Sequence, residues 1–228
     1  MILKMHEEKI EGIVLRSLAF KERQRIITLF SADGLISLIV KNISPKNTRL
    51  LSLTTPFTHA EYHCLRGQSE LLRFHDGTLL SDHLILRHSL SSLQAAGTLA
   101  NAILTSQMPG KSSPALFALY KSYHNQVHHF ADPTILVASF YLKLLKHEGH
   151  LTISTYCANC QEPTAKLLHN GESFCSKHSV QNAFLFSSAE WETLLSLDNA
   201  QHFSSLRPLS LPPLFFQKID ALFHASLN

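Results

Sequence analysis

Glycine is scarce in this sequence, with 8 residues among 228, and no two glycines lie closer than Gly67 and Gly77. Loops that cradle phosphates need clustered glycines, so a Walker A loop and a dinucleotide-binding fingerprint are both excluded. The sequence also contains no Gly-x-Ser-x-Gly elbow and no His-Glu-x-x-His motif. These absences make an enzyme the weaker of the functional hypotheses.

Long apolar runs are missing as well. The most apolar segment, residues 135–145, is too short to span a bilayer. The first twelve residues carry five charged side chains, and no uninterrupted apolar stretch follows them. We therefore expect no signal peptide, no membrane association and a cytoplasmic location.

Clustered carboxylates, which a nuclease needs to hold Mg²⁺, are absent too. The only close pairs are Glu7 with Glu8 and Glu190 with Glu192, interpreted as exposed charge. Histidine, in contrast, is abundant at fifteen residues. The histidines that lie close together along the chain are interpreted as solvated imidazoles at a helix end or on a strand: His124, His128 and His129, and His59 and His63.

The net charge of +3 is modest, but it is unevenly distributed. Residues 1–80 hold 11 lysines and arginines against 8 acidic residues, and the remainder holds 9 of each. The whole basic excess therefore lies in the first third, a mild electrostatic signature of polyanion binding. Charge alone does not distinguish this reading from random scatter over a solvated surface.

Short apolar and β-branched runs in the first third predict strands. Five such runs lie at 10–18, 26–30, 35–40, 56–65 and 70–74. The connection between the second and third ends in Asp33-Gly34, a strong hairpin signal. Five short strands with little helix favour a small closed barrel, and the oligonucleotide-binding (OB) barrel is the commonest five-stranded type. An SH3-like barrel fits less well.

The hydrophobic period becomes helical after Asp82, which predicts helices over 86–104 and 116–127. Asp132-Pro133 precedes a third helix, apolar nearly all round and therefore buried. Ser187 with Glu190 is a capping-box signature, and Pro212-Pro213 opens the last helix.

These patterns predict an α+β multidomain fold. An OB-type five-stranded β-barrel that binds nucleic acid is expected over 1–80. An all-helical domain is expected over 81–228, with a zinc-binding segment inserted at 155–180.

The insertion carries two chelating pairs, Cys157-Ala-Asn-Cys160 and Cys175-Ser-Lys-His178, fourteen residues apart. Two ligands three residues apart on a tight turn can face one ion, and two such turns complete a tetrahedron that suits Zn²⁺. Four protein ligands leave no position for water, so the predicted zinc is structural. Disulfides, which need an oxidising compartment, and chance clustering are the alternatives. Cys64, on a predicted strand, is interpreted as a buried thiol.

Seven basic residues of the first 50 form what we call the cationic strip. The strip is predicted to bind DNA phosphates on one face or rim of the barrel, where a positive groove can follow a nucleic-acid strand. Phe20 is the aromatic residue offered for base stacking, whereas Phe30 and Phe57 are assigned to the core. The strip consists of Arg16, Lys21, Arg23, Arg25, Lys41, Lys46 and Arg49.

The order of these parts resembles the bacterial recombination mediator RecO family. The resemblance rests on Gly12-Ile13-Val14-Leu15, on Ile26-Ile27-Thr28-Leu29-Phe30 running into Asp33-Gly34-Leu35-Ile36, and on Phe140-Tyr-Leu-Lys-Leu-Leu145 followed by Gly149 and the cysteine pair. It covers nearly the whole chain. The sequence departs from the family at His178, where many members have Cys, and at Gln161, where Gly is common. The loop at 41–46 is also less basic than expected.

The resemblance implies a non-enzymatic, nucleoid-associated protein of DNA repair. Such proteins bind single- and double-stranded DNA, anneal complementary strands and engage the acidic C-terminal tail of the single-strand binding protein. With RecR they help RecA replace that protein on DNA. Two other functions stay open: an OB-fold RNA-binding protein of translation or RNA processing, and a metal-dependent nuclease.

Overall fold

The computed structural model describes residues 6–67, 69–163 and 165–227. The chain forms two compact units, residues 1–128 and 129–228. The first unit holds five strands and three helices: β1 (His6–Ala19), β2 (Arg25–Ser31), β3 (Gly34–Val40), α1 (Thr48–Leu53), β4 (His59–Arg66), β5 (Leu72–Ser81), α2 (Leu90–Ser106) and α3 (Pro114–Gln126).

The five strands close into a barrel in the order β1-β2-β3-β5-β4. All neighbours are antiparallel except β3 and β5, which run parallel through Leu38 and Ile39 opposite Leu72 and Arg73. The predicted five-stranded N-terminal sheet is thereby confirmed. Each strand begins within about three residues of its predicted start, apart from the longer β1, because the alternation that buries one face is already visible in the sequence.

Apolar side chains from every strand fill the barrel. Val14, Ile27, Leu38 and Tyr62 are fully buried, and the Tyr62 hydroxyl donates a hydrogen bond of 2.9 Å to the carbonyl oxygen of Leu53 in α1. Burial of the Cys64 thiol in this core, with the Glu8 carboxylate nearby, raises its pKa to about 12. The interpretation of Cys64 as a buried thiol is confirmed.

Helix α1 was not predicted. Its six residues are too few for a hydrophobic period to emerge. The helix is held by packing of Leu53 into the barrel core and by the Asn47 side chain, which accepts a hydrogen bond from the Leu50 amide. The first unit also extends past the predicted boundary at residue 80, because α2 packs on β1 and α3 on β2. The boundary of the nucleic-acid-binding part itself stays a prediction.

The second unit is mainly helical and carries a small sheet. Its elements are α4 (Thr134–His147), β6 (Leu167–His169), β7 (Glu172–Phe174), β8 (Phe184–Leu185), α5 (Ser188–Asn199), α6 (Phe203–Leu206) and α7 (Phe215–Leu227).

Helix α4 is buried over 135–145 except at Lys143, as its apolar pattern predicts. It packs on α7, where the rings of Tyr141 and Phe223 stack at 4.0 Å, and on α5. The capping box of α5 is present between Ser187 and Glu190. Glu190 also pairs with Lys218 at 2.6 Å, so it is not the exposed charge that its sequence suggested.

Among the described residues, no helix combines the length and the apolar composition that crossing a membrane requires. The mixed α+β class, with an N-terminal sheet and C-terminal helices, is confirmed.

Gly34 provides a test of the β2–β3 hairpin. Its φ of +91° disfavours other residues, and a Cβ there would lie 2.3 Å from the Lys111 carbonyl oxygen. Gly34→Ala should therefore lower the free energy of unfolding by about 2 kcal/mol or more, measured by urea denaturation. Gly97→Ala is the matched control, since no atom lies within 4 Å of a Cβ placed there. An alanine in this helix should raise the free energy of unfolding by up to about 1 kcal/mol. Equal effects of the two substitutions would contradict the hairpin geometry.

Candidate functional site

The four predicted metal ligands converge in the second unit. The donor atoms of Cys157, Cys160, Cys175 and His178 all lie within 4.8 Å of one another. The Cys160 and Cys175 sulfurs are 3.8 Å apart, and His178 Nδ1 lies 3.3 Å from Cys175 Sγ and 3.6 Å from Cys157 Sγ. These three separations are compatible with edges of a tetrahedron around one ion. This group can therefore hold a metal ion.

Local backbone structure sets the first pair of ligands. The Gln161 amide donates to the Cys157 carbonyl at 2.9 Å, and Gln161 takes a φ of 59°. The turn thus closes without the glycine that often follows a second cysteine. The Ala158 amide donates to the Ser173 carbonyl at 2.8 Å, which joins this turn to the second half of the cluster.

A tight hairpin positions the second pair. Strands β6 and β7 meet at Asn170-Gly171, both with positive φ, and a short 3₁₀ turn after Cys175 brings His178 into place. A Cβ on Gly171 would lie 2.1 Å from the His150 carbonyl oxygen, so only glycine allows this approach. The hairpin thereby brings Cys175 and His178 back towards the first pair of ligands.

The electrostatics of the cluster favour the thiolate at Cys157 and Cys175 but not at Cys160, where a backbone hydrogen bond lowers the pKa less than burial and the neighbouring thiols raise it. Although burial acts to raise the pKa of Cys157, hydrogen bonds from the Cys160, Cys175 and Asn159 amides lower it to about 6. Hydrogen bonds to Cys175 and Cys157 raise the pKa of His178. All four cysteines of the chain are free thiols, and the disulfide alternative has no support in this geometry.

The barrel brings together part of the cationic strip. The turn after β1 and the segment after β3 are joined by a 2.9 Å hydrogen bond from the Ile43 amide to the Arg23 carbonyl, and Arg25 pairs with Val40 across the sheet. Lys21, Arg23, Arg25 and Lys41 therefore lie at one end of the barrel.

The other three members of the strip are placed differently. Arg16 is exposed on β1 beside Thr28, and Lys46 is exposed on the turn before α1. Arg49 is already engaged within the protein, because its guanidinium lies 2.9 Å from the Asp76 carboxylate and donates a hydrogen bond of 2.6 Å to the Gly77 carbonyl. Phe20 is 51% exposed in its loop, with Lys21 Nζ 5.5 Å from its ring centroid.

Charge pairing divides the barrel surface in two. In the part of the chain that the structure describes, no strip member other than Arg49 forms an ion pair. On the neighbouring β1–β4 face, cations and carboxylates neutralise one another. The pairs there are Lys9 with Glu61, Arg66 with Glu8, and Lys121 with Glu11.

Sequence reasoning missed a row of side chains across four strands. Leu18, Ile26, Ile39 and Arg73 are consecutive cross-strand partners and therefore share one face of the sheet. Leu18 is 50% exposed and Ile26 and Ile39 are partly exposed, so this is the outer face. Only the strand register reveals the row. It adds apolar surface and a further cation beside the strip.

Two histidine interpretations were wrong. His124 is completely buried in α3, where the sequence suggested a solvated helix end. His59 has a side chain only 13% exposed and bonds to Glu11 at 2.8 Å. The structure places both in the packing of α3 on the barrel.

Comparisons with known proteins give the family context. Residues 5–82 match the family model "Recombination protein O N terminal". The chain is 29% identical over 223 residues to the DNA repair protein RecO of Chlamydia muridarum, covering 96% of this chain and 95% of that protein. It is 26% identical over 182 residues to the DNA repair protein RecO of Bacillus cereus strain AH187, covering 78% and 73% respectively. The predicted resemblance to the RecO family is confirmed.

Solved structures add no argument. An asparaginyl-tRNA synthetase from Entamoeba histolytica aligns with a TM-score of 0.30 and 11% identity, covering 78% of this chain and 41% of that one. Similarity at this level supports no conclusion about fold or function.

The metal-ligand cluster makes a direct prediction. Purified protein should contain about one metal ion per chain, and Cys157→Ser should lose most of it because a hydroxyl is a poor ligand for a soft site. Metal content by mass spectrometry measures both. Cys64→Ala is the control, since Cys64 lies in the barrel core and should retain the ion. Equal metal content in wild type and Cys157→Ser would rule out the cluster as the binding site.

Proposed function

We propose that this chain, whose resemblance to RecO proteins runs over nearly its whole length, is a non-enzymatic DNA-binding protein of DNA repair. It binds single and double strands through the N-terminal barrel, which we assign to the OB type. It anneals complementary strands in the cytoplasm, on the nucleoid.

The observation that supports this proposal best is the unpaired cationic end of the barrel. A cation already bonded to a carboxylate gains little from a phosphate, whereas Lys21, Arg23 and Lys41 are exposed and have no acidic partner among the described residues. A protein that neutralises phosphates releases condensed counterions, and this supplies affinity independent of sequence. The same neutralisation lowers the repulsion between two strands that anneal.

The outer face beside the strip supports single-strand binding in particular. Exposed bases need apolar surface, and Leu18, Ile26 and Phe20 provide it next to the unpaired cations. OB barrels use their strand 2–3 face and the loop after the first strand for such ligands. Both features lie at the cationic strip.

The mediator role rests on the family resemblance. By that resemblance the protein engages the acidic tail of the single-strand binding protein and, with RecR, helps RecA replace it. The cations that could contact the tail on the predicted helical domain are Lys121, Lys143, Lys146 and Arg207. Two of them are engaged within their own units, Lys121 with Glu11 and Lys146 with Asp198, both in ion pairs under 3 Å.

We further propose that the four-donor cluster holds a structural Zn²⁺. For Zn–S bonds of about 2.3 Å, the sulfur–sulfur edge of a tetrahedron is about 3.8 Å. The separation of Cys160 and Cys175 is 3.8 Å. Cys157, Cys160, Cys175 and His178 would all bind the ion, which supplies binding free energy of about 10–16 kcal/mol to the local fold. The chain's own contribution is to hold the four donors in place, and each of them binds the ion in its deprotonated form.

A metal-dependent nuclease would need a group of residues that holds its catalytic metal, apart from the four-donor cluster. Among the described residues, the cluster is the sole group of histidines, cysteines and carboxylates arranged to hold an ion. Glu8 and Glu11 of β1 and Glu61 of β4 bond to neighbouring cations instead.

Salt dependence of binding tests the cationic end. Lys21→Gln combined with Arg23→Gln should weaken single-strand binding about equally for all sequences. Each lost phosphate contact flattens the log–log salt slope by about 0.7, so the double variant should lose about 1.4. Fluorescence anisotropy from low to moderate salt measures this.

The matched control is Lys9→Gln combined with Arg66→Gln. It removes the same net charge from the face where both cations are already paired. Its slope should stay within error of the wild type. Equal flattening by the two doubles would show that net charge, and not the cationic end, governs binding.

Annealing distinguishes the proposal from its rivals. The protein should speed the pairing of complementary DNA strands coated with the single-strand binding protein. It should do so without a nucleotide cofactor and without cleaving the strands. A gel assay with labelled strands measures both. A clear preference for RNA over matched DNA would favour RNA binding. Protein-dependent cleavage with Mg²⁺ or Mn²⁺ would favour a nuclease. Either result would overturn the proposal.

A further inference from the structure

Four histidines meet in the first unit where α3 packs on the barrel. His59 lies on β4, His83 precedes a short 3₁₀ turn at Leu84–His88, His124 lies in α3, and His128 follows that helix. We call them the histidine cluster. They come from separate parts of the chain, so the fold alone brings them together.

His124 is the centre of the cluster. Its ring is fully buried, 4.5 Å from the ring of His83 and nearly perpendicular to it, with Phe57 and Tyr120 at 5.9 and 5.7 Å. Neither nitrogen of His124, nor Nε2 of His83, has a hydrogen-bond partner among the described residues. A buried polar group without a partner is rare and calls for a physical explanation.

We propose that the histidine cluster is an acid-sensitive latch, which holds α3 on the barrel while the buried rings of His83 and His124 are neutral and releases the helix when these two rings take up protons. A buried imidazolium that no carboxylate pairs is strongly unfavourable, so protonation favours opening of the interface. This device is independent of the proposed DNA binding.

The charged groups around the cluster reinforce this behaviour. His59 and His128 face His83 and His124 and repel any charge placed there, whereas Asp82 opposes this effect only at His83. The remaining carboxylate, Glu11, is occupied by His59 at 2.8 Å and by Lys121 at 2.9 Å. No acidic group among the described residues bonds to His124 to stabilise its charged form.

The direction of the pH effect follows from these surroundings. Burial first, and then the neighbouring histidines, lower the pKa of His124 to about 3 and that of His83 to about 4. In an opened state both return towards about 6.5. Opening therefore takes up protons, so the latch is fully stable above pH 6.5 and weakens as the pH falls towards 4. At pH 5 each histidine favours the open state roughly 30-fold more than at pH 7.5.

The tie between Glu11 and α3 persists through this range. The hydrogen bond from Lys121 lowers the pKa of Glu11 below 4.5. Burial opposes this effect, and the hydrogen bond from His59 adds to it. Glu11 therefore stays charged while the histidines titrate. Release of α3 from the barrel between pH 6.5 and 5 is then caused by protonation within the histidine cluster and not by loss of the Glu11–Lys121 ion pair.

Release of α3 uncovers part of the barrel. Phe30 of β2 packs edge-on against Phe117 and Tyr120 at 5.8 and 5.6 Å. These contacts are lost when the helix leaves. An acid-opened molecule thus exposes apolar surface on the strand that begins with Arg25 of the cationic strip.

Hydrogen exchange on the full chain at pH 7.5 and 5.0, corrected for intrinsic rates, tests the latch. Opening of α3 should rise at least about 30-fold relative to α4 of the other unit. His124→Phe, which keeps an aromatic ring without the nitrogens, should reduce that rise about 30-fold and leave the part that is due to His83. His75→Asn, exposed on β5, should leave it intact. Equal loss of protection in α3 and α4 would overturn the proposal.

Histidine proton resonances give a second measurement that needs no variant. Apart from His178, which is assigned to the metal site, the imidazoles of His83 and His124 should remain neutral in the folded protein down to pH 5. Titration of His83 and His124 near pH 6.5 without any loss of α3 protection would overturn the latch.

Discussion

The closed ring of hydrogen-bonded strands in the N-terminal barrel is the constraint on which the cationic surface depends. Because Arg25 pairs with both Ala19 and Val40, the loops on either side of β2 must lie together, and they bring Lys21, Arg23 and Lys41 with them. Inward packing of Ile27 and Leu38 fixes this register. A slip of one residue would reverse every side chain and bury the outer face.

The ligand-bearing segment of the second unit has little hydrophobic core. Its small sheet and two ligand turns bury few apolar residues, chiefly Leu167 and Phe174 around the cysteines. A segment of this size gains too little from hydrophobic burial to fold alone, and the metal ion proposed for the four-donor cluster would supply the missing free energy. The helices beside it need no such help, because α4 is enclosed almost completely by apolar contacts.

Much of this molecule could be predicted from its sequence, because the decisive signals are local. The alternation in β2 and β3, the capping box at Ser187 and the spacing of Cys157 and Cys160 all lie within a few residues. What could not be predicted depends on long-range register. The row from Leu18 to Arg73 crosses four strands, the loss of Arg49 to Asp76 needs the position of α1, and His124 is buried by elements far away in sequence.

The central claim is that phosphates contact the unpaired cations at one end of the barrel, and lysine footprinting tests it most directly. The protein would be acetylated with and without a saturating thymidine oligonucleotide, and each site quantified by mass spectrometry. The account predicts protection of Lys21 and Lys41, with Lys9, paired to Glu61, unchanged. Protection confined to lysines of the second unit, with Lys21 and Lys41 fully reactive, would contradict it.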